Sequence, residues 1–394
     1  MKFFWLIGGN LIYALSQWII LLIFSRNFLK DDVGQYFFAL SLIAPLALIT
    51  SLKLPNLLLT FSQNEGEDKF LFSFRIILSL ILFILTIFIY FVFFNENVAF
   101  FVLLMVLLYK ILEQSDDLVI ALYQKKMNFR KIFFLKFFRS LVYCVLVYVG
   151  VLIFENIVDV LLFSTLVYFL YWWCLNRKFI YILRLDYYKI KKYFKNGIYL
   201  SLSSALSSLN VSGSRLFVGY FLGNSFLAVY GVISYSLVAF SIIISAISQY
   251  FLPLFVKYRN TNFFYKKIYF SQFLVFSISL FFMIFSYFYG DFLLSIFYGK
   301  EYSEYGFFLF MVFFANLFKS SSSLIGTAMT SLKVYNFQLS FTLISLFVSI
   351  LITPLMIVKY SLLGAFYAIL IVNFFEWVLY MFFAKRSFNK ILNM

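Results

Sequence analysis

Histidine is absent from this sequence of 394 residues. That absence excludes imidazole metal centres, Ser-His-Asp and Cys-His catalysis, and pH sensing by histidine. The sequence has two cysteines, Cys144 and Cys174, and both lie in apolar runs, which favours buried thiols over a disulfide or a zinc pair. It also has no glycine-rich phosphate-binding loop, which argues against an ATP-driven mechanism. We therefore expect neither a cofactor nor a metal, and we expect no enzyme activity.

Charged residues are also scarce, at 12% of the chain, whereas 64% is apolar and the mean hydropathy is +0.96. Soluble domains contain about 25% charged and about 45–50% apolar residues, and a soluble protein of this length has too little interior to bury so much apolar surface. A membrane helix needs about 20 apolar residues. Segments of that kind fall at 3–24, 33–52, 70–94, 99–122, 134–154, 160–176, 197–221, 226–256, 268–288, 306–330, 335–358 and 360–384. The sequence thus predicts an all-α integral membrane protein with about 12 transmembrane helices.

Acidic residues are half as numerous as basic ones, which gives a net charge of +16. The basic residues concentrate in alternate connecting segments, and cytoplasmic segments of membrane proteins carry such an excess. The other set of connecting segments holds only Arg26, Lys30, Lys300 and Lys359. We therefore predict that both termini are cytoplasmic. The charge reports orientation, and no nucleic-acid partner is needed to explain it.

The longest segment between predicted spans, residues 177–196, lies near the middle of the chain. Leu183, Tyr187, Ile190 and Phe194 recur there at helical spacing opposite lysines, which predicts a basic amphipathic helix on the inner leaflet, in contact with anionic lipid. Residues 28–36 also resemble residues 221–230. We predict an N-terminal six-helix lobe at 1–176, this linker at 177–196 and a C-terminal six-helix lobe at 197–394, as in transporters built from repeats.

Polar side chains follow one face of several predicted spans, where they are expensive unless they face a bundle interior or a water-filled cavity. The candidate substrate-binding residues are Lys319, Lys110, Arg215, Asn316, Ser320, Ser323, Asn10 and Gln17. The carboxylates that are candidates for ion coupling are Glu113, Asp117 and Glu376. Serine-rich stripes also serve as close-packing surfaces between membrane helices, and that alternative stays open.

The cations differ in their expected surroundings. Arg75, Lys136 and Arg139 lie near predicted cytoplasmic span ends, where snorkelling explains them, and Arg215 lies near the outer end of its span, where the same explanation applies. Lys110 has Glu113 and Asp117 on its own helix face, whereas Asp116 points elsewhere. Lys319 has no acid within one turn, so we expect it to receive an anion in an aqueous cavity or to pair with Glu376 on another helix.

Several short motifs resemble a known group of membrane proteins. They are Asn10 with residues 14–18, Phe28-Leu29 with residues 33–36, residues 39–45, Gln124 with residues 127–130, Gly219 to Tyr230, and residues 298–302. Together they resemble the bacterial polysaccharide flippases, the O-antigen and capsule repeat-unit translocases of the multidrug/oligosaccharidyl-lipid/polysaccharide exporter superfamily. The resemblance is densest at 8–60, 110–140 and 197–335.

This resemblance implies two six-helix lobes around a central cavity. It also implies a cargo, an undecaprenyl-pyrophosphate-linked oligosaccharide carried from the inner to the outer leaflet of the bacterial cytoplasmic membrane by alternating access. Its cavity cations would receive the pyrophosphate, and an ion gradient would drive the cycle. Expected partners are that lipid-linked oligosaccharide, membrane lipids, a polysaccharide polymerase and a chain-length regulator. A membrane-embedded glycan polymerase or ligase, and a small-molecule exporter of the same superfamily, remain alternatives.

Overall fold

The structure of this protein, a computed structural model, is built from α-helices. It describes residues 2–60, 65–94, 98–179, 186–258, 261, 263–332 and 335–392, and these contain no β-strand. The helices up to the middle of the chain are α1 (Lys2–Asn27), α2 (Lys30–Ser51), α3 (Leu54–Thr60), α4 (Glu65–Ile89), α5 (Phe100–Lys125), α6 (Phe129–Ile153) and α7 (Ile157–Asn176). Those that follow are α8 (Tyr187–Leu222), α9 (Asn224–Tyr258), α10 (Phe263–Tyr298), α11 (Gly306–Ser331) and α12 (Tyr335–Leu392). A π-helical turn, Tyr90–Phe94, extends α4, and short 3-10 helices, Arg177–Phe179 and Lys300–Tyr305, follow α7 and α10.

Helix α12 is a helical hairpin that reverses direction at Ser361. Ser361 has a non-helical backbone, with φ 55° and ψ −136°. A Cβ placed on Gly364 would come within 1.9 Å of the carbonyl oxygen of Met356, although eight residues of straight helix span about 12 Å. Further from the turn, Ser345 bonds to Glu376, and the two residues lie at nearly the same distance along the chain from Ser361. The two halves of α12 are therefore antiparallel neighbours, as the separate predicted spans 335–358 and 360–384 require.

Most of these helices are long and apolar enough to cross a membrane. Eight segments of the described residues meet both requirements, and one of them contains both halves of α12. Helices α5, α8 and α9 fall outside the eight, and α5 does so while carrying Lys110, Glu113, Asp116 and Asp117 in its interior. The expected all-α membrane fold is confirmed. Counting α12 twice and leaving out the short α3, the long helices within the described residues are consistent with the expected twelve spans.

The internal contacts divide the chain into two compact units. The N-terminal unit comprises residues 1–219 and 223–228, and the C-terminal unit comprises residues 220–222 and 229–394. By these contacts α8 belongs to the N-terminal unit, so the division falls near residue 220 rather than at the linker 177–196. The two six-helix lobes at 1–176 and 197–394 stay a prediction.

One end of the N-terminal unit collects segments that the charge pattern assigns to the cytoplasm. Lys125 at the end of α5 pairs with Asp68 in α4 at 2.9 Å, and Lys192 in α8 pairs with Glu67 at 3.3 Å. At the opposite end, the Gln35 side chain accepts a hydrogen bond from the backbone N–H of Ala99 at 3.1 Å. The segments predicted to share a side of the membrane therefore lie together within this unit.

The predicted separate amphipathic helix at 177–196 is wrong in one respect. From Tyr187 onward these residues are the first turns of α8, which continues without a break to Leu222. Of the predicted apolar face, Tyr187 and Phe194 are exposed, and Leu183 lies outside the described residues. The buried side chain is instead Tyr193, which packs with Ile190 against a cluster from α3, α4 and α5. Tyr193 docks the helix on protein, Tyr187 and Phe194 of the predicted apolar face stay exposed, and their contact with the inner leaflet stays a prediction.

Candidate functional site

The middle of α5 carries a charged face inside the N-terminal unit. Lys110, Glu113 and Asp117 recur at three- and four-residue spacing, which places them on one side of the helix. The Nζ of Lys110 lies 2.7 Å from Oε2 of Glu113, the local pairing expected from the sequence. Glu113 is buried, whereas the side chains of Lys110 and Asp117 remain partly exposed.

Arg139 on α6 is the counter-ion of three carboxylates on α5. Its guanidinium lies 3.4 Å from Glu113, 3.5 Å from Asp116 and 3.8 Å from Asp117, and its side chain is only 7% exposed. The snorkelling explanation for Arg139 is therefore wrong. Helices α5 and α6 form a hairpin around residues 126–128, so position 139 lies at the depth of position 115. Charges at that depth need a neighbour of opposite sign, and this is the signal that could have found Arg139.

Of the other two cations of this group, Arg75 departs from snorkelling, and for Lys136 snorkelling stays a prediction. Arg75 on α4 is buried, and its Nε and Nη2 atoms have no hydrogen-bond partner among the described residues. Lys136 on α6 donates a 2.5 Å hydrogen bond to the amide oxygen of Asn10 on α1. Asn10 is thus brought to the charged group, as a partner of a lysine and at an exposed position.

Asp116 does not point away from the charged group, contrary to the sequence-based expectation. Its carboxylate accepts hydrogen bonds from the hydroxyl of Tyr168 at 3.1 Å and from the amide of Asn176 at 2.9 Å, both on α7. It also faces Arg139. Asp116 therefore joins α5, α6 and α7. Which side of α5 packs against α7 depends on the tertiary structure. The spacing of residues along α5 cannot predict it.

Tyrosines surround the charged residues on the side of α1. The Tyr13 hydroxyl donates to Oε1 of Glu113. The Gln17 amide donates to the hydroxyl of Tyr109 at 3.5 Å, and the Tyr109 ring stacks on Tyr143 with centroids 3.8 Å apart. Gln17 is thereby brought close to the site, whereas sequence reasoning missed Tyr109 and Tyr143.

A cavity of about 60 Å³ opens between these groups, lined by Lys110, Glu113, Gln17 and the tyrosines 13, 109 and 143, among others. One water needs roughly 10–15 Å³ of such space. The cavity has the volume for several waters beside the pair of Lys110 and Glu113. Arg215 on α8 belongs to the same unit but contacts a different place, since its guanidinium lies 5.6 Å from the ring centroid of Phe37.

The predicted polar face of α11 divides into a buried half and an exposed half. Ser320 is buried and lies 2.9 Å from Ser279 on α10 through their hydroxyls, and Asn316 is buried as well. Lys319 and Ser323 are exposed. The contact of Ser320 with Ser279 is of the helix-packing kind noted for such stripes, and a substrate role for Ser320 stays a prediction. The spacing predicts that these four residues lie within about 100° of one another around α11. Within that range, two of them are buried and two are exposed.

Lys319 is paired across helices with Glu376, one of the two arrangements expected from the sequence. Its Nζ lies 2.8 and 2.7 Å from the two carboxylate oxygens of Glu376, which is on the second half of α12. Ser345, on the first half of α12, donates to the same carboxylate at 3.3 Å. The Lys319 side chain is 47% exposed and that of Glu376 only 10%. The C-terminal unit thus holds a half-exposed cation on a buried carboxylate.

The comparisons with known proteins agree with one another. Residues 23–307 match the family model described as polysaccharide biosynthesis protein. The chain belongs to this family. It is 31% identical over 407 residues to the capsular polysaccharide biosynthesis protein CapF of Staphylococcus aureus, with 98% of this chain and 99% of that protein covered.

Two solved structures show the fold of this family member. The lipid II flippase MurJ, in an inward closed conformation, has a TM-score of 0.76 at 15% identity, covering 98% of this chain and 89% of that one. A Vibrio cholerae MATE transporter, VcmN, has a TM-score of 0.63 at 12% identity, covering 100% of this chain and 97% of that one. This polysaccharide biosynthesis protein is therefore a multi-pass membrane protein with the fold of MurJ and the MATE transporters.

Proposed function

We propose that this protein is a flippase that carries an undecaprenyl-pyrophosphate-linked oligosaccharide repeat unit from the inner to the outer leaflet of the cytoplasmic membrane. It would do so by alternating access and would not act as an enzyme. The observation that carries the proposal is the pair of partly exposed lysines, Lys110 and Lys319, in the middle of membrane helices. A lysine at that depth is unfavourable by roughly 2.5–3.5 kcal/mol on insertion scales. Glu113 and Glu376 offset that cost in the structure, and an anionic ligand would take their place.

The names of its relatives support the same class of cargo. CapF is named for capsular polysaccharide biosynthesis, and MurJ is named as a flippase of lipid II. A diphosphate group presents oxygens that Lys110 and Lys319 suit as point charges, while the prenyl tail stays in lipid. The other proposed substrate-binding residues are Asn10, Gln17 and Arg215 in the N-terminal unit and Asn316, Ser320 and Ser323 in the C-terminal unit.

Three carboxylates are the proposed ion-coupling residues, Glu113, Asp117 and Glu376. We also propose that both termini are cytoplasmic and that a polymerase and a chain-length regulator receive the exported unit. The excess of basic residues in one set of connecting segments supports the orientation. Membrane lipids are the remaining partners of so apolar a chain.

The test is export in cells that lack the gene. A flippase deletion accumulates unflipped single repeat units on the inner leaflet and loses surface polysaccharide, and the wild-type gene restores it. We expect Lys319→Ala and Lys110→Ala to restore far less surface polysaccharide at equal protein abundance. Wild-type export by both variants would contradict the role of the lysines.

Removing Lys319 alone leaves the buried Glu376 without its counter-ion, and the protein could lose export because it fails to fold. A second variant separates loss of transport from loss of folding. Lys319→Met combined with Glu376→Gln replaces the ion pair by neutral groups and is expected to keep protein abundance while losing export. Exported but unpolymerised units in the deletion strain would instead indicate a polymerase or ligase. Unchanged surface polysaccharide in that strain would indicate an exporter of small molecules.

A further inference from the structure

Lys110 and Lys319, the two lysines proposed to receive the anion, are held by carboxylates that differ in what surrounds them. Lys110 pairs with Glu113 in the N-terminal unit, and Lys319 pairs with Glu376 in the C-terminal unit. In both pairs the lysine is the more exposed member and the carboxylate is buried. An anion that binds either lysine must compete with its carboxylate. The affinity for the anion therefore depends on which other groups stabilise the carboxylate once the lysine has left it.

Glu113 keeps its compensation when Lys110 turns away. The hydroxyl of Tyr13 donates to Oε1 of Glu113, and the guanidinium of Arg139 lies 3.4 Å from that same oxygen. Both partners come from neighbouring helices and are independent of Lys110. A buried carboxylate with a cation and a hydrogen-bond donor remains stable in its ionised form. Anion binding at Lys110 therefore leaves Glu113 beside a cation, Arg139, which it shares with Asp116 and Asp117.

Glu376 has no second cation beside it among the described residues. Apart from Lys319, its hydrogen-bond partner among the described residues is the Ser345 hydroxyl at 3.3 Å. The titratable groups near it in that part of the chain are Lys319 on α11 and Tyr380, one turn further along its own helix. A neutral phenol and a hydroxyl do not balance a full negative charge. Ionised carboxylates without a counter-charge are strongly disfavoured in a low-dielectric interior, and such groups neutralise instead.

We propose that an anion can take Lys319 only when Glu376 accepts a proton, so that the Lys319–Glu376 pair is an anion–proton coupling site. The ammonium of Lys319 passes its hydrogen bonds from the Glu376 carboxylate to a phosphate oxyanion of the ligand. The Glu376 carboxylate binds one proton from water and becomes a carboxyl group, able to donate or accept with Ser345. The proton on Glu376 removes the negative charge that Lys319 would otherwise leave uncompensated, and one phosphate oxyanion takes the place of the carboxylate beside the ammonium. The inference rests on the proposed function and narrows its three ion-coupling candidates to Glu376.

The ligand class is a prenyl diphosphate, because the exposed face of Lys319 offers a point charge to phosphate oxygens. Two N–H groups of the ammonium point at Glu376, which leaves a third for another acceptor. Glu376 also acts as a competitor for that ligand in the empty protein. Replacing Glu376 by glutamine removes the competitor and the proton acceptor together, so one variant has two separate consequences.

The experiment is calorimetric titration of the purified full-length protein in detergent with farnesyl diphosphate as the probe. Repeating it in buffers of different ionisation enthalpy gives the number of protons taken up per ligand bound. We expect wild type to take up about one proton more than Glu376→Gln, and the difference removes any proton exchanged by the diphosphate itself. We expect Glu376→Gln to bind about tenfold to hundredfold more tightly, the range for loss of a hydrogen-bonded charged competitor.

Two matched variants complete the design. Glu155→Gln neutralises an exposed carboxylate in the connection between α6 and α7 and is expected to behave as wild type. Lys319→Met with Glu376→Gln lacks the anion receptor and the proton acceptor, and we expect it to lose the tight binding seen with Glu376→Gln. Keeping that tight binding would overturn the assignment of the ligand to Lys319.

The outcomes separate this inference from the proposed function. Wild type that binds the probe with the same proton uptake as Glu376→Gln would overturn the coupling and leave the flippase proposal standing. A requirement for sodium in place of the proton would overturn it as well. Wild type that binds no prenyl diphosphate would contradict both the ligand class and the coupling.

Discussion

Arg139 determines the charge balance of the N-terminal unit. Three carboxylates on α5 lie within 4 Å of its guanidinium, and Lys110 and Lys136 lie further out toward exposed surface. Removing one member of a buried ion pair leaves the other without compensation, and that loss exceeds the worth of the pair itself. The residue that matters for folding is therefore distinct from the lysines proposed to meet the substrate.

We predict that Arg139→Ala lowers the free energy of unfolding by about 3–5 kcal/mol. Arg139→Lys should recover part of that loss, because it restores the charge without the planar fork that reaches several carboxylates. Thermal unfolding of the purified protein in detergent measures the effect. Arg130→Ala on the exposed start of the same helix is the control and should change the midpoint little. Equal midpoints for wild type and Arg139→Ala would contradict the ion-pair assignment.

At the scale of elements, the α12 hairpin depends on a close approach of its two halves. The carbonyl oxygen of Met356 would lie 1.9 Å from a Cβ on Gly364, so only glycine fits there without movement of the backbone. Ser361 supplies the reversal, and Glu376 reaches Lys319 and Ser345 because the second half returns alongside the first. The geometry of the proposed coupling pair thus depends on a turn fifteen residues away.

Gly364→Ala is expected to destabilise the protein by at least about 1–3 kcal/mol, the range for forcing extra atoms into a packed site. The matched control is Gly213→Ala in α8, where an added Cβ meets nothing within 4 Å. Alanine favours helix over glycine, so that control should be neutral or stabilising by up to about 1 kcal/mol. Midpoints of thermal unfolding in detergent compare the two. Similar shifts for both glycines would contradict the hairpin contact.

The start of α8 is a second element whose packing can be tested, because it carries one buried and one exposed tyrosine. Tyr193 is fully buried against α3, α4 and α5, whereas Tyr188 is 81% exposed. We predict a loss of about 3–5 kcal/mol for Tyr193→Ala and a change within about 0.5 kcal/mol for Tyr188→Ala, measured by unfolding in detergent. The reverse ranking would contradict the docking of Tyr193 on α3, α4 and α5.

These elements show what the sequence could and could not predict. Apolar runs located the long helices well, including the two halves of α12, because burial in lipid depends on composition along the chain. The short α3 and the continuous α8 were missed, since both follow from protein contacts rather than from hydropathy. In the site, spacing identified Glu113 and Lys319, but it could not assign Arg139 to three carboxylates or turn Asp116 toward α7. Those pairings depend on how helices rotate against one another.

At the scale of the whole molecule, the connecting segments on one predicted side of the membrane carry most of the basic residues. The ion pairs of Lys125 with Asp68 and of Lys192 with Glu67 join segments at one end of the N-terminal unit. The net charge of +16 gathers mostly in connecting segments on that predicted side. An even number of spans returns the chain to the side where it began. The reversal at Ser361 is decisive for this parity, because a straight α12 would place the C-terminus on the opposite side.

Labelling of single cysteines tests that parity directly. In a background with Cys144→Ser and Cys174→Ser, we predict that a membrane-impermeant maleimide applied to intact cells labels Lys359→Cys and Glu155→Cys. Arg130→Cys should react only after the membrane is opened, because it follows the α5–α6 turn on the predicted cytoplasmic side. All three positions are exposed in the structure, so a difference in labelling reports sidedness rather than burial. If Lys359→Cys instead reacted only after the membrane is opened, as Arg130→Cys should, one half of α12 would not cross the membrane. The predicted cytoplasmic C-terminus would then be wrong.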